Sequence, residues 1–132
     1  MAGLFFFSPE AQAMEWVTPV EITPGSASAW TDVDVSAYVP AGATGVIVEF
    51  DEVGWWDAPA IGLRKNGSTD NRIDTIIYRT LPSGFVGLDD NRVLEAYVGS
   101  ATAVDLYLTG YFTAEAVFFT NGISKATASG EW

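Results

Sequence analysis

The chain of 132 residues contains no cysteine and no histidine. Without cysteine there is no disulfide, no thiol nucleophile and no thiolate metal ligand. Without histidine, the usual general base, the commonest zinc ligand and every Ser-His-Asp arrangement are absent as well. Positive charge is also scarce: six Lys and Arg stand against 17 Asp and Glu, for a formal net charge of −11. Residues 1–63 carry nine acids and no base at all. Affinity for nucleic acid comes from clustered Lys and Arg, so a nucleic-acid partner is not expected. No stretch approaches the roughly 18 consecutive apolar residues that a membrane-spanning helix needs, so no membrane partner is expected either.

Aromatic residues are plentiful, at 14% with five tryptophans. Those towards the ends, Phe5, Phe6, Phe7, Trp16 and Trp132, fall where a core does not usually reach, which marks them as an expected assembly interface. Residues 1–16 read as an amino-terminal arm with a short helix. Ser8 suits the N-cap, Pro9 the first helical position and Glu10 the first turn, and the helix is expected to run to about Glu15. The segment imitates a signal peptide. However, it has no Lys or Arg ahead of its apolar run, and that run of about four residues falls short of the roughly 7–15 required, so export by this route is not expected.

From residue 17 the pattern alternates with a period of two. Val33 and Val35 face one way while Asp32 and Asp34 face the other. Val46, Val48 and Phe50 oppose Glu49 and Asp51, and Leu106 and Leu108 oppose Asp105 and Tyr107. Strands are expected over 17–22, 30–36, 46–51, 58–65, 73–80, 84–88 and 93–98, with a long run from about 105 to 120. Gly110 interrupts that run and suggests a bulge or a crossing between sheets. Eight or nine short strands separated by turn residues predict an all-β domain over 17–132, a single β-sandwich or jelly roll, and the length suits the eight strands of a jelly roll. The expected core comprises Val33, Val35, Val46, Val48, Phe50, Ile76, Leu94, Ala96, Leu106 and Leu108.

One unit is stated twice. Asp70-Asn71-Arg72 precedes the apolar run 73–78, and Asp90-Asn91-Arg92 precedes the run 93–98. Asn and Asp tolerate left-handed backbone angles and bond their own main chain, so both units read as structural turns. Their arginines are expected to tie down nearby loop carbonyls or carboxylates.

Candidate chemistry is sparse. Trp55, Trp56 and Asp57, completed by Arg64 or by the loop 68–71, form a possible glycan contact, since tryptophan rings stack on sugar faces while carboxylates accept from hydroxyls. Asp51, Glu52 and Asp57, or Asp89 and Asp90, offer hard oxygen ligands for calcium, but neither stretch has the spacing of a dedicated loop. A two-carboxylate glycosidase would need a cleft that so small a chain scarcely provides. Asn66-Gly67-Ser68 fits the glycosylation pattern and reads more simply as a turn. No catalytic residue, cofactor or metal is expected.

Residues 62–72 (Gly-Leu-Arg-Lys-Asn-Gly-Ser-Thr-Asp-Asn-Arg), 86–92 (Val-Gly-Leu-Asp-Asp-Asn-Arg) and 106–111 (Leu-Tyr-Leu-Thr-Gly-Tyr) resemble a domain of tailed-phage and environmental viral proteins. Segments 30–35 and 39–46 share the resemblance, which covers about residues 29–112. It implies a virion structural module such as a capsid decoration (cement) protein, a minor capsid protein or part of a fibre. The expected protein is therefore non-enzymatic and located in the virion. It forms a homo-oligomer, a trimer by expectation, and it binds the capsid or another virion protein. The alternative is a carbohydrate-binding module using the Trp55-Trp56 loop.

Overall fold

The computed structural model describes residues 13–54, 58–76 and 81–123. Eight strands follow in order: β1 (Met14–Glu21), β2 (Trp30–Asp34), β3 (Gly45–Glu52), β4 (Ala60–Lys65), β5 (Asp74–Thr75), β6 (Ser83–Gly87), β7 (Val93–Val98) and β8 (Val104–Phe112). They form two four-stranded sheets, ordered β1-β8-β3-β6 and β2-β7-β4-β5. Within them β1 pairs with β8, β2 with β7, β3 with β6 and β4 with β5, all antiparallel. This is one long hairpin bent at the β4–β5 connection and rolled so that successive pairs fall in opposite sheets, the arrangement of a jelly roll.

Alternation places the core between the sheets. Val46, Val48 and Phe50 of β3 meet Leu94, Ala96 and Val98 of β7 and Leu106 and Leu108 of β8, all buried in one cluster. Every residue expected in the core is buried. The interruption near Gly110 is a bulge: Val48 pairs with Leu108 and Ile47 with Gly110, leaving Thr109 as an extra residue. It changes the parity of β8. Leu106 and Leu108 face the core before it, and Tyr111 packs against the core after it.

Several expected boundaries are corrected. Met14, Glu15 and Trp16 are not arm or helix but the first residues of β1, paired with Phe112, Tyr111 and Gly110. Their cross-strand partners outweigh the local helix signal, and among the described residues there is no helix. Residues 8–12 of the expected helix lie outside the described residues. The expected strand 73–80 contributes only Asp74–Thr75 to a sheet, and residues 77–80 lie outside the description. The long final run stops at Phe112. Residues 113–123 instead form an irregular strap that leaves the first sheet and reaches the β4–β5 connection.

Leu106 is fully buried at the centre of this packing. Leu106→Ala is expected to cost about 2–5 kcal/mol of stability, measured by urea unfolding, because it removes contacts and leaves a cavity.

Candidate functional site

The two Asp-Asn-Arg units turn the chain in different ways. At the second, the Asp89 Oδ1 carboxylate oxygen accepts from the amides of Asn91 and Val93 at 2.9 and 2.8 Å, and Oδ2 accepts from Asn66 Nδ2 at 2.8 Å. Arg92, rather than Asn91, adopts the left-handed angle, with φ of 65°. Its guanidinium donates to the carbonyls of Ser36 at 3.0 Å and Val39 at 2.8 Å, which fastens the β2–β3 loop. In this way the chain passes from β6 of one sheet to β7 of the other through five residues, 88–92. Asp90 is solvent-facing beside it.

At the first unit, Asn71 and Arg64 serve a single aromatic anchor on the outer face of the second sheet. The Trp30 indole N–H donates to Asn71 Oδ1 at 2.9 Å, and the Arg64 guanidinium carbon lies 4.2 Å from the Trp30 ring centroid. Arg64 also donates twice to the Glu95 carboxylate, at 2.8 and 2.7 Å, and once to the Asp70 carbonyl at 2.9 Å. Gly62 is needed beneath the indole: a Cβ there would stand 2.7 Å from the Trp30 ring and 2.9 Å from the Arg72 carbonyl oxygen. Arg64 is thus bonded to Glu95 and Asp70 and lies against the Trp30 ring. Trp55, Trp56 and Asp57 lie outside the described residues, as do Phe5, Phe6, Phe7 and Trp132.

Asp70 and Arg72 turn instead towards the strap. Asp70 Oδ2 accepts from the Gly122 amide at 2.6 Å and from Arg72 at 2.7 Å. The Gly122 bond first, then Arg72, holds this carboxyl below the usual range. Asn121 Oδ1 accepts from Ser68 Oγ and the Thr69 amide at 2.8 and 2.9 Å. At its other end the strap is fixed by Thr44 Oγ1, which lies 2.7 Å from the carbonyls of both Thr113 and Ala116 and donates to one at a time. Between these anchors Phe118 lies on the outer face of the first sheet, against Phe112 and over Gly45 and Gly87, where any Cβ would collide with it.

The strap borders the open seam between the sheets. There, beside β6, lies a groove of about 640 Å³ lined by Phe50, Ile61, Leu63, Ile73 and Phe85, with Arg72 and Asp74 at its rim. Strand β6 is the edge of its sheet. Since Leu88 donates to the Thr44 carbonyl and Phe50 to the Pro82 carbonyl, the residues that bond to β3 are Gly84 and Val86. Ser83, Phe85 and Gly87 turn their N–H and C=O groups outward, and among the described residues no strand pairs with them. The Phe85 side chain is 67% exposed.

The other edges are guarded. Strand β1 carries Glu15, Glu21, Pro19 and an irregular register between Trp16 and Val20. Strand β2 presents Asp32 and Asp34, and β5 is only two residues long with one of them acidic. Charges, proline, bulges and brevity are the usual devices against edge-to-edge pairing, and β6, Ser-Gly-Phe-Val-Gly, has none of the charged or proline guards. Trp16, expected at an interface, lies on the outer face of the opposite edge and is 69% exposed.

The outer face of the first sheet also has an acidic half. Asp51 pairs directly with Asp105, and Tyr107 is flanked by Glu49 and Glu21. Burial first, then Glu21 and Asp51, pushes the Asp105 carboxyl up. Asp51 and Glu52 are successive strand residues and so face opposite sides, which separates two of the acids that could have offered calcium ligands. Both Asp89 oxygens are taken by the bonds described above. Among the described residues no group of three acids is arranged to hold a metal ion. The sequence reading missed Trp30, Phe85, Phe118 and Asn121. The uncharged stretch Pro82–Leu88 was visible, but its place at a sheet edge was not.

A comparison with protein-family models, curated proteins and solved structures finds no match. The chain is thus described by its fold, a jelly-roll β-sandwich, and by its open seam.

Two outcomes follow. Arg92→Lys is expected to lower stability by about 1–2 kcal/mol through loss of two carbonyl bonds, whereas Arg72→Lys, at an arginine side chain 78% exposed, should change it by less than about 1 kcal/mol. Chemical unfolding of both variants checks this contrast. For Asp105, a raised folded-state pKa means that ionisation costs stability above it, and that cost is absent below the ordinary carboxylate value of about 3.9. Asp105→Asn should therefore raise the melting temperature at neutral pH, with the gain disappearing near pH 3.

Proposed function

We propose that this protein is a non-enzymatic structural component of a virion, a capsid decoration (cement) or minor capsid protein. In this reading it self-assembles and binds the shell through its aromatic amino-terminal arm. The observation that carries the proposal is the unguarded apolar edge at β6: the most developed feature of the described surface is suited to holding another chain. The fold adds support by analogy, since jelly rolls recur in viral capsids, although they recur in lectins as well. The resemblance of residues 62–72 and 86–92 to viral proteins points the same way. The carbohydrate-binding alternative rests on the Trp55-Trp56 loop, with Arg64 engaged by Trp30 and Glu95.

The test is co-sedimentation of the purified full chain with capsid shells that lack it, followed by native mass spectrometry. Saturable binding at a fixed ratio to the shell subunit is expected. Deletion of residues 1–8 should abolish binding while leaving the melting temperature of the isolated domain little changed. Absence of binding by the full chain, or undiminished binding after the deletion, would overturn the proposal.

A further inference from the structure

We infer that the seam beside β6 receives the aromatic arm of a second copy of this chain, with residues 3–7 adding a strand to the edge of the first sheet. The inference rests on the assembly reading above and names the receiving surface.

The first ground is the chemistry of the arm. Gly3-Leu4-Phe5-Phe6-Phe7 is uncharged and contains no proline, so all its amides can pair. In an extended strand, successive side chains point to opposite faces, so Phe6 goes one way while Phe5 and Phe7 go the other. Such a segment fits only where both faces are apolar. An added strand beside β6 meets that condition. Its inner side faces the groove of Phe50, Ile61, Leu63 and Ile73, and its outer side faces Phe85, whose ring packs edge-on against Phe112. The outward N–H and C=O groups of Ser83 and Phe85 supply the main-chain partners, which is strand addition in its usual form.

The second ground is reach, and it selects a neighbour over the chain's own arm. Ala13 is pinned at the corner of β1, where its carbonyl accepts from the Thr113 amide at 3.0 Å. Strand β1 is at the opposite edge of the sheet from β6. A strand added beyond β6 lies four spacings from β1, about 19 Å across. The six steps from Ala13 back to Phe7 span at most about 20–22 Å when fully extended. Phe112 and Phe118 lie on the outer face along that route, so the arm would have to run fully extended with almost no slack to reach its own seam. A neighbouring copy presents its seam without this limit. The resulting contact is head to tail, with the arm beside one edge and its receptor at the other, so it gives a ring or a reciprocal exchange where the rotation closes and an open filament where it does not.

The experiment uses two forms of the protein. A fluorescent synthetic peptide of residues 1–10 is titrated into the chain lacking residues 1–8, and the full chain is studied by sedimentation equilibrium. Saturable peptide binding is expected, weakened at least tenfold by Phe85→Lys, which places a natural edge guard on β6, and unchanged by Trp16→Ala at the other edge. The full chain should be oligomeric and its Phe85→Lys variant monomeric. Ser83→Lys serves as the second variant should Phe85→Lys fail to fold. A full chain that is monomeric would overturn the inference, and peptide binding by the truncated form would then place the arm on its own seam. An oligomer unaffected by both lysine variants, or one whose seam does not take the peptide, would overturn it equally. Shell co-sedimentation is scored separately: an oligomer that ignores shells sinks the virion reading and leaves the arm-to-seam contact standing.

Discussion

Burial of a single apolar slab between two sheets organises this molecule. Leu94, Leu106, Leu108, Val46 and Val48 are completely shielded from water, and they alternate with outward-facing residues along their strands except at the bulge after Leu108. Burying a residue of this kind contributes about 1.5–3 kcal/mol. A one-residue slip would turn a whole strand's set into solvent, so the slab also enforces register. The Thr109 bulge is tolerated because it restores an inward side chain, Tyr111, at the end of the longest strand.

Rolling one hairpin into two sheets leaves four edges, and their treatment differs. Acids, a proline and a broken register occupy β1, aspartates occupy β2, and β5 is cut to two residues. At β6 the outward groups border an apolar groove, and among the described residues the strap from 113 to 123 covers the Gly87 end, where Phe118 sits, and passes beside Phe85 and Val86. Exposed, uncharged main-chain edges are a hazard that folded proteins suppress. Among the described residues, suppression at three edges and not at the fourth is what one strand-shaped partner would require.

The paired Asp-Asn-Arg turns show how one local code takes two tertiary roles. Arg92 is drawn inward by the carbonyls of Ser36 and Val39 and holds a loop. Arg72 bonds the carboxylate of Asp70, lies against Gly122 of the strap and stays largely in solvent at the rim of the groove. Asp70 and Asn121 together tie the strap to the β4–β5 connection, joining segments about fifty residues apart in sequence. The electrostatic cost of the acidic face falls where Asp105 sits across from Asp51 in the β3–β8 ladder, with burial and the like charges of Glu21 and Asp51 pushing its carboxyl up.

The sequence by itself determined the all-β class, the alternating strands and all ten expected core residues, because a period of two survives in the order of the side chains. It also determined the turns at 66–72 and 89–92: at the second Asp89 bonds its own backbone, whereas at the first Ser68 makes the local bond and Asn66, Asp70 and Asn71 bond groups remote in sequence. Only the tertiary structure decided that Met14–Trp16 extend a sheet, since pairing with β8 lies outside any local window. The same holds for the strap after Phe112: its anchors at Thr44, Ser68 and Asp70 are remote in sequence. Edge position is the clearest case. Ser83–Gly87 looks like any other short strand until strand order leaves it with one neighbour, and strand order follows from how the whole hairpin rolls rather than from any residue within it.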